Sequence, residues 1–191
     1  MENPAKKMLI INGSPRKDGC TSEMINFFAG KLSILYDITV FDCFGNAFSP
    51  CCACGYCEEN DGCVYSDMDG FFVTLEDSDA IVIASPVYFL SYPAPLKNII
   101  DRCQRYYSAH FIRRIRPTVA RPKLGALLLC GGSDNRFAFE VMEKQAKQIY
   151  SIINTKYAGM AVRSNTDSPA GIFPSERLEE LAEDFIRFCD Q

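Results

Sequence analysis

One histidine, His110, is all the imidazole this chain has. It has no acidic neighbour in sequence, so it makes a weak general base, and no Ser-His-Asp triad can be drawn around it. A surface or interface position suits it better. Positive charge is also short. Lysine and arginine number 20 against 24 aspartates and glutamates, a net charge of −4, which leaves no basic field to draw in nucleic acid. No apolar run approaches the roughly 20 residues needed to span a membrane. The polar opening Met1–Lys7 lacks the apolar stretch of an export signal. The expectation is a cytoplasmic protein with no nucleic-acid or membrane partner. Two phosphate-binding patterns are missing too. G-x-x-x-x-G-K-[ST] is absent, which excludes a nucleoside-triphosphatase loop, and G-x-G-x-x-G is absent, which argues against a dinucleotide fold.

What is present fits one domain over residues 1–191, with 48% hydrophobic and 23% charged residues. Short apolar runs predict strands at Lys7–Asn12, Ile38–Phe41, Ala80–Ala84, Leu124–Cys130 and Lys156–Val162. Between and after them, apolar residues at helical spacing predict helices over Thr21–Tyr36, Asp67–Leu75, Leu96–Tyr107 and Phe137–Ile153. A last helix carries the stripe Leu178, Leu181, Phe185 and Phe188. Pro93 and Pro95 stand where a helix can begin. Several strands are apolar throughout rather than alternating, the mark of a parallel sheet covered on both faces. The predicted class is α/β, a doubly wound five-stranded parallel sheet in the flavodoxin order 2-1-3-4-5 with helices on both faces.

In such sheets ligands sit beyond the carboxyl ends of the strands. The first strand here runs into Gly13-Ser14-Pro15-Arg16-Lys17-Asp18-Gly19-Cys20-Thr21-Ser22. A loop that opens a helix offers free backbone N–H groups and the positive end of the helix dipole. Hydroxyls from Ser14, Thr21 and Ser22 and the charge of Arg16 complete a set suited to a phosphate monoester. A tight turn with an ordinary Ser or Thr cap accounts for the same residues without a ligand.

Gly13-Ser14-Pro15-Arg16 followed by Gly19-x-Thr21-Ser22 resembles the phosphate loop of the NADPH-dependent FMN reductase family, with Cys20 where that family usually has Asn. Ser85-Pro86-Val87-Tyr88-Phe89, then Pro95-Leu96-Lys97 and Asp101-Arg102, resemble its segment after the third strand. Gly131-Gly132-Ser133 resembles its turn after the fourth. The resemblance runs from Lys7 to about Gly132. It implies FMN as cofactor, held by Ser14, Arg16, Cys20, Thr21, Ser22, Pro86, Val87, Tyr88, Phe89, Gly131 and Gly132. NAD(P)H is the implied candidate electron donor, and a homodimer or homotetramer the implied assembly. A flavin ring is a flat apolar plate that Val87, Tyr88 and Phe89 can contact, although packing between strand and helix accounts for Tyr88 and Phe89 as well.

Ten cysteines are many for a chain without an export signal, and six of them fall between Cys43 and Cys63. Cys51-x-x-Cys54-x-x-Cys57-x5-Cys63 can bring four thiolates onto one cubane, the spacing of ferredoxin-type sites. Most zinc sites separate two C-x2-C knuckles by a longer span. Zinc, free thiols and disulfides remain alternatives, and Cys43 and Cys52 are extra. Pro50, Gly55 and Gly62 let the backbone turn tightly. The segment resembles the cysteine motif of iron–sulfur flavoproteins, which share the reductase fold, and so implies a 4Fe–4S cluster on Cys51, Cys54, Cys57 and Cys63.

Arg113, Arg114, Arg116, Arg121 and Lys123 form a small basic stretch. It reads as a solvated loop, or else as a subunit contact or a site for nicotinamide phosphates. Asp101 and Arg102 read as a structural salt bridge or interface pair. Tyr106, Tyr107 and Phe111 read as interface aromatics or as helix packing. No side chain stands out as catalytic, as expected where a cofactor does the chemistry. The expected function is an FMN-dependent oxidoreductase that passes electrons from NAD(P)H or a reduced carrier protein to a small-molecule or protein acceptor. The alternative is a flavoprotein electron carrier or redox sensor without turnover.

Overall fold

The apolar runs become the middle of a sheet because a strand covered on both faces has no polar side to alternate with. A computed structural model describes residues 5–168 and 171–189. Its five strands are β1 (Lys6–Asn12), β2 (Tyr36–Asp42), β3 (Ala80–Pro86), β4 (Lys123–Cys130) and β5 (Thr155–Arg163). They pair in parallel in the expected order β2-β1-β3-β4-β5. Every residue of β4 is buried. The edge strand β2 is largely exposed, with Val40 open to solvent.

Helices cover the two faces by the parity of the strand residues. Met8, Ile10, Val82, Ala126 and Leu128 pack against α1 (Cys20–Leu32) and α7 (Ser175–Cys189) through Met24, Phe28, Leu178 and Phe185. Leu9, Ile11, Ile81, Ile83, Leu127 and Leu129 meet the opposite layer. That layer comprises α3 (Asp69–Asp77), α4 (Ala94–Arg102), α5 (Gln104–Phe111) and α6 (Arg136–Ile152). Each fully buried Phe or Leu side chain contributes about 1.5–3 kcal/mol before the entropy of ordering is subtracted.

Two local expectations differ from the structure. The helix expected over Thr21–Tyr36 ends at Leu32, and Tyr36 already opens β2. The single helix expected over Leu96–Tyr107 is broken at Cys103. Its amide reaches both the Ile99 and Ile100 carbonyls, a tightened turn at ψ −2°, and the axis restarts at Gln104. The segment Asp42–Ser66, which carries six of the cysteines, holds a 3-10 turn at Cys43–Gly45 and one short helix, α2 (Tyr56–Glu59).

The basic stretch is not one solvated face. Lys123 is buried, and its Nζ donates to the Glu76 and Ser78 carbonyls at 2.7 and 2.5 Å, closing the end of α3. Arg121 pairs with Asp77 and Asp79, and Arg113 with Asp61. Tyr106 is buried and donates its hydroxyl to Glu76 at 2.7 Å, so of the expected interface aromatics only Tyr107 and Phe111 reach the surface. His110 lies edge-on to Phe111.

Burial gives the fold an alkaline limit. It pushes the Cys43 and Cys103 thiols up from 9.0 to about 12 and Cys130 to about 11, and it raises Tyr92 and Tyr150 as well. An unfolded thiol therefore loses its proton first. The stability these groups supply is whole below pH 9 and drains away toward pH 11–12. Lys123 acts in the opposite sense, lowered to about 8 by its burial and by Arg121, but it is one group against several. The urea midpoint is expected to fall steadily between pH 9 and 11. A flat or rising midpoint over that range would contradict the burial of these groups.

Candidate functional site

Strands β1, β3 and β4 end side by side, because Asn12 is in register with Ala84, and Pro86 with Cys130. Three loops, 13–19, 87–93 and 131–135, therefore leave the same edge of the sheet. This is the crevice where ligands bind in open α/β folds.

The first loop starts with a close approach. A Cβ on Gly13 would stand 2.5 Å from Leu96 Cδ2 and 3.3 Å from Ser85 Oγ, so only glycine fits between β1, β3 and α4. Asn12 then shapes the turn. Its Nδ2 donates to Asp42 at 2.7 Å and its Oδ1 accepts from the Ser14 amide at 3.0 Å. Ser14 Oγ accepts from the Arg16 amide at 3.2 Å, and Ser22 Oγ donates to the Arg16 carbonyl at 3.1 Å. Both hydroxyls are thus engaged within the loop. Thr21 is buried beside the Cys130 thiol. Gly19 enters α1 in an extended conformation, and no side chain caps the helix. Among the described residues the first-turn amides of Cys20, Thr21 and Ser22 carry no backbone acceptor, while Glu23 already reaches back to Gly19. An uncapped first turn at the end of a central strand fits a phosphate group. Arg16 is exposed above it. The one carboxylate of that turn, Glu23, is neutralised by an ion pair with Arg163 from the end of β5.

The second loop is a two-residue hairpin. Tyr88 and Ser91 exchange both backbone bonds, at 2.9 and 3.0 Å, and the Val87 amide donates to the Cys130 carbonyl at 2.8 Å. The tip residues Phe89 and Leu90 are both left-handed, at φ 48° and 62°, a conformation bulky side chains adopt only under constraint. Phe89 is fully exposed and Tyr88 half so, which leaves an apolar tip beside the phosphate loop. The third loop, Gly131–Gly132, is closed by the segment after β5, where the Thr166 amide and hydroxyl both donate to the Gly131 carbonyl.

The cysteine segment forms a second site. Cys51, Cys54, Cys57 and Cys63 line one cavity of about 340 Å³, together with Cys52, Tyr65, Arg102 and Arg105. The chain turns there through left-handed Ala53, Gly55 and Gly62. All ten cysteines are free thiols. Cys57, at the start of α2, donates to Ser108 Oγ at 3.4 Å. The Tyr65 hydroxyl donates to Cys52 at 3.6 Å and, with Cys54, holds that thiol below its ordinary value. Among the described residues no three metal-ligating side chains close on a single ion. A single zinc needs its sulfurs at about 2.3 Å from one point, whereas a cubane spreads four of them around its own body. The set of four free thiols, one shared cavity, and two guanidinium groups to offset thiolate charge fits a cluster.

Sequence reasoning missed two supports of these sites. Asn12 looked like the end of a strand, although a polar residue closing an apolar run before glycine was a usable signal. The other is the pairing of Arg102 with Asp67, which no local pattern connects. The remaining half of the Asp101-Arg102 pair behaves differently, since Asp101 meets Lys97 at the surface at 2.6 Å.

The fold and the crevice define the flavodoxin-like class. Solved structures of that class align along nearly the whole chain. An NAD(P)H:quinone oxidoreductase from Methanothermobacter marburgensis superposes with TM-score 0.68 at 16% identity, over 94% of this chain and 96% of that one. An azoreductase from Bacillus anthracis str. Sterne gives 0.67 at 16% identity, over 94% and 98%. At that identity the likeness speaks for fold alone. The sequence goes further. The model of the family described as NADPH-dependent FMN reductase matches residues 6–166. An iron-sulfur flavoprotein of Methanosarcina thermophila is 31% identical over 96% of this chain and 94% of its own length. Another, from Archaeoglobus fulgidus, is 33% identical over 66% of this chain and 55% of its own length. The chain belongs to the NADPH-dependent FMN reductase family, in its iron–sulfur flavoprotein subgroup, and is an FMN-dependent oxidoreductase. Among the described residues no helix is long and apolar enough to cross a membrane.

Proposed function

We propose that residues 1–191 form one FMN-binding domain that takes electrons from NAD(P)H or a reduced carrier protein. It passes them to a small-molecule or protein acceptor through a 4Fe–4S cluster on Cys51, Cys54, Cys57 and Cys63. The observation that carries this reading is the lining of one cavity by all four cysteines of the motif, on a family member with an uncapped helix at its phosphate loop. When bound, FMN supplies exchange between two-electron and one-electron steps, and the cluster supplies one-electron transfer.

The chain's own part is to bind and orient. The amides of Cys20, Thr21 and Ser22, with Arg16 and Ser14 at the rim, hold the phosphate. Pro86, Val87, Tyr88 and Phe89 give the ring an apolar wall, and Gly131 and Gly132 let it approach the backbone on the other side. The Val87 and Tyr88 amides are already used, on the Cys130 and Ser91 carbonyls, so the tip amides of Phe89 and Leu90 are the donors available to ring heteroatoms. The exposed apolar residues Tyr107, Phe111, Ile112 and Ile115, in and just after α5, support assembly as a homodimer or homotetramer. Free thiols suit a reducing, cytoplasmic setting.

The test is an anaerobic absorption and EPR spectrum on one sample, with iron, sulfide and FMN assayed together and NADH or NADPH added in turn. The expected result is flavin at one per chain, iron and sulfide at about four each, and bleaching by at least one nucleotide. Flavin without iron would leave a simple flavin reductase. Flavin and iron that no nucleotide reduces would favour an electron carrier fed by a protein.

A further inference from the structure

Arginine is a surface residue by default, and a buried one needs its donors satisfied. Arg102, the last residue of α4, is buried, with its side chain wholly shielded from solvent. One terminal nitrogen, Nη1, donates to the Ser49 carbonyl at 2.8 Å and to Asp67 Oδ1 at 2.9 Å. The other, Nη2, donates to the Tyr65 carbonyl at 2.9 Å. Asp67 completes the knot, its second oxygen accepting the Ser49 amide at 2.7 Å. Ser49 and Tyr65 are the two ends of the segment that carries Cys51, Cys52, Cys54, Cys57 and Cys63. The guanidinium thus ties the loop shut at its base. It also lines the thiols' cavity, and its Nε is buried with no protein acceptor. The residue that carries this unmet donor shares the cavity lining with five sulfurs.

The geometry points to Arg102 as the positioning residue of the cysteine loop: it fixes both ends of the loop on α4 and presents a cation and one free N–H to the thiols. This deepens the reading above, and only its electrostatic half rests on that reading. Because α4 leaves directly from the hairpin after β3, the same helix anchors the thiol loop and the segment assigned to the flavin ring. A planar fork does what lysine cannot, since three donors in fixed directions are needed to hold two carbonyls and a carboxylate at once.

Two measurements test it. In the metal-free, reduced protein, Arg102→Lys is expected to speed amide exchange over residues 49–66 by about tenfold or more, with the amides of β1, β3 and β4 unchanged. Asp67→Asn, which removes the carboxylate but not the arginine, is expected to do the same more weakly and serves if Arg102→Lys does not fold. Unchanged exchange in the folded variants overturns the positioning role whether or not the wild type holds a cluster. In the anaerobically reconstituted protein, Arg102→Gln is expected to move the cluster midpoint potential to a more negative value, and Arg102→Lys to move it less. A nearby cation and an N–H donor both favour the reduced state. Equal potentials overturn the electrostatic half. A wild type that takes up no iron overturns that half together with the cluster reading, and leaves the exchange result to decide the loop.

Discussion

Serine in place of Cys57 is expected to empty the thiol cavity of iron and leave the flavin in place. A serine hydroxyl does not ionise near neutral pH and is a poor ligand for a cluster built on thiolates. Cys57 sits in the first turn of α2, half-buried, with Ser108 as its hydrogen-bond partner. Serine keeps that contact, so the fold has little to lose. Iron and sulfide should drop from about four per chain to background, with flavin content unchanged and the melting temperature within about 2 °C of the wild type. The phosphate loop and the hairpin after β3 lie on other segments, so a nucleotide that reduces the flavin of the parent should still do so. What should be lost is the one-electron route out, read as a fall in reduction of a one-electron acceptor. Iron retained at the parent level would remove Cys57 from the ligand set.

The second large effect is expected at Gly13→Val. A Cβ there would stand 2.5 Å from Leu96 Cδ2, and Leu96, on the inner face of α4, is fully buried. Neither neighbour can retreat, because the Gly13 amide is bonded to the Ala84 carbonyl at 2.8 Å and Leu96 is locked in the core. Overpacking of this kind costs about 1–3 kcal/mol, which for a domain of this size lowers the melting temperature by roughly 2–12 °C. Function should suffer more than stability, since the displaced residue opens the loop that offers its amides to phosphate. FMN affinity is expected to fall by about tenfold or more, measured by flavin fluorescence on titration. Gly30→Ala, where nothing lies within 4 Å of an added Cβ, is the control and should lower neither quantity. Equal FMN affinity in Gly13→Val and the parent would detach the loop from the cofactor.

The sheet was readable from the sequence because its central strands obey a rule with few exceptions. Ile81–Ala84 and Leu127–Leu129 are apolar at every position, as strands shielded on both faces must be. The break at Cys103 was not readable, since no proline or glycine marks it and the tightening comes from an amide shared between two carbonyls. The hairpin tip was hidden for a similar reason. Paired left-handed residues usually read as Asn-Gly, and here they are Phe89 and Leu90. The cysteine spacing announced itself, but the residues that shape its loop did not. Arg102 and Asp67 lie far apart in sequence, and neither shows in its local pattern that it will be tied to the other. Lys123 misleads in the same way, because a lysine among arginines looks solvated until two carbonyls at the end of α3 are found around it.

The knot at the base of the cysteine loop bears on the order of assembly. In small zinc domains the metal is the fold, and apoprotein is an unfolded chain. Here Ser49, Tyr65 and Asp67 are gathered by a guanidinium that belongs to the sheet's own helical layer, so the loop is closed without any help from iron. The entropy of bringing its ends together is met during folding of the polypeptide. On the cluster reading proposed above, metallation would follow folding and act on a finished scaffold. A molecule that loses iron to oxygen would be a vessel awaiting refilling rather than a substrate for proteolysis.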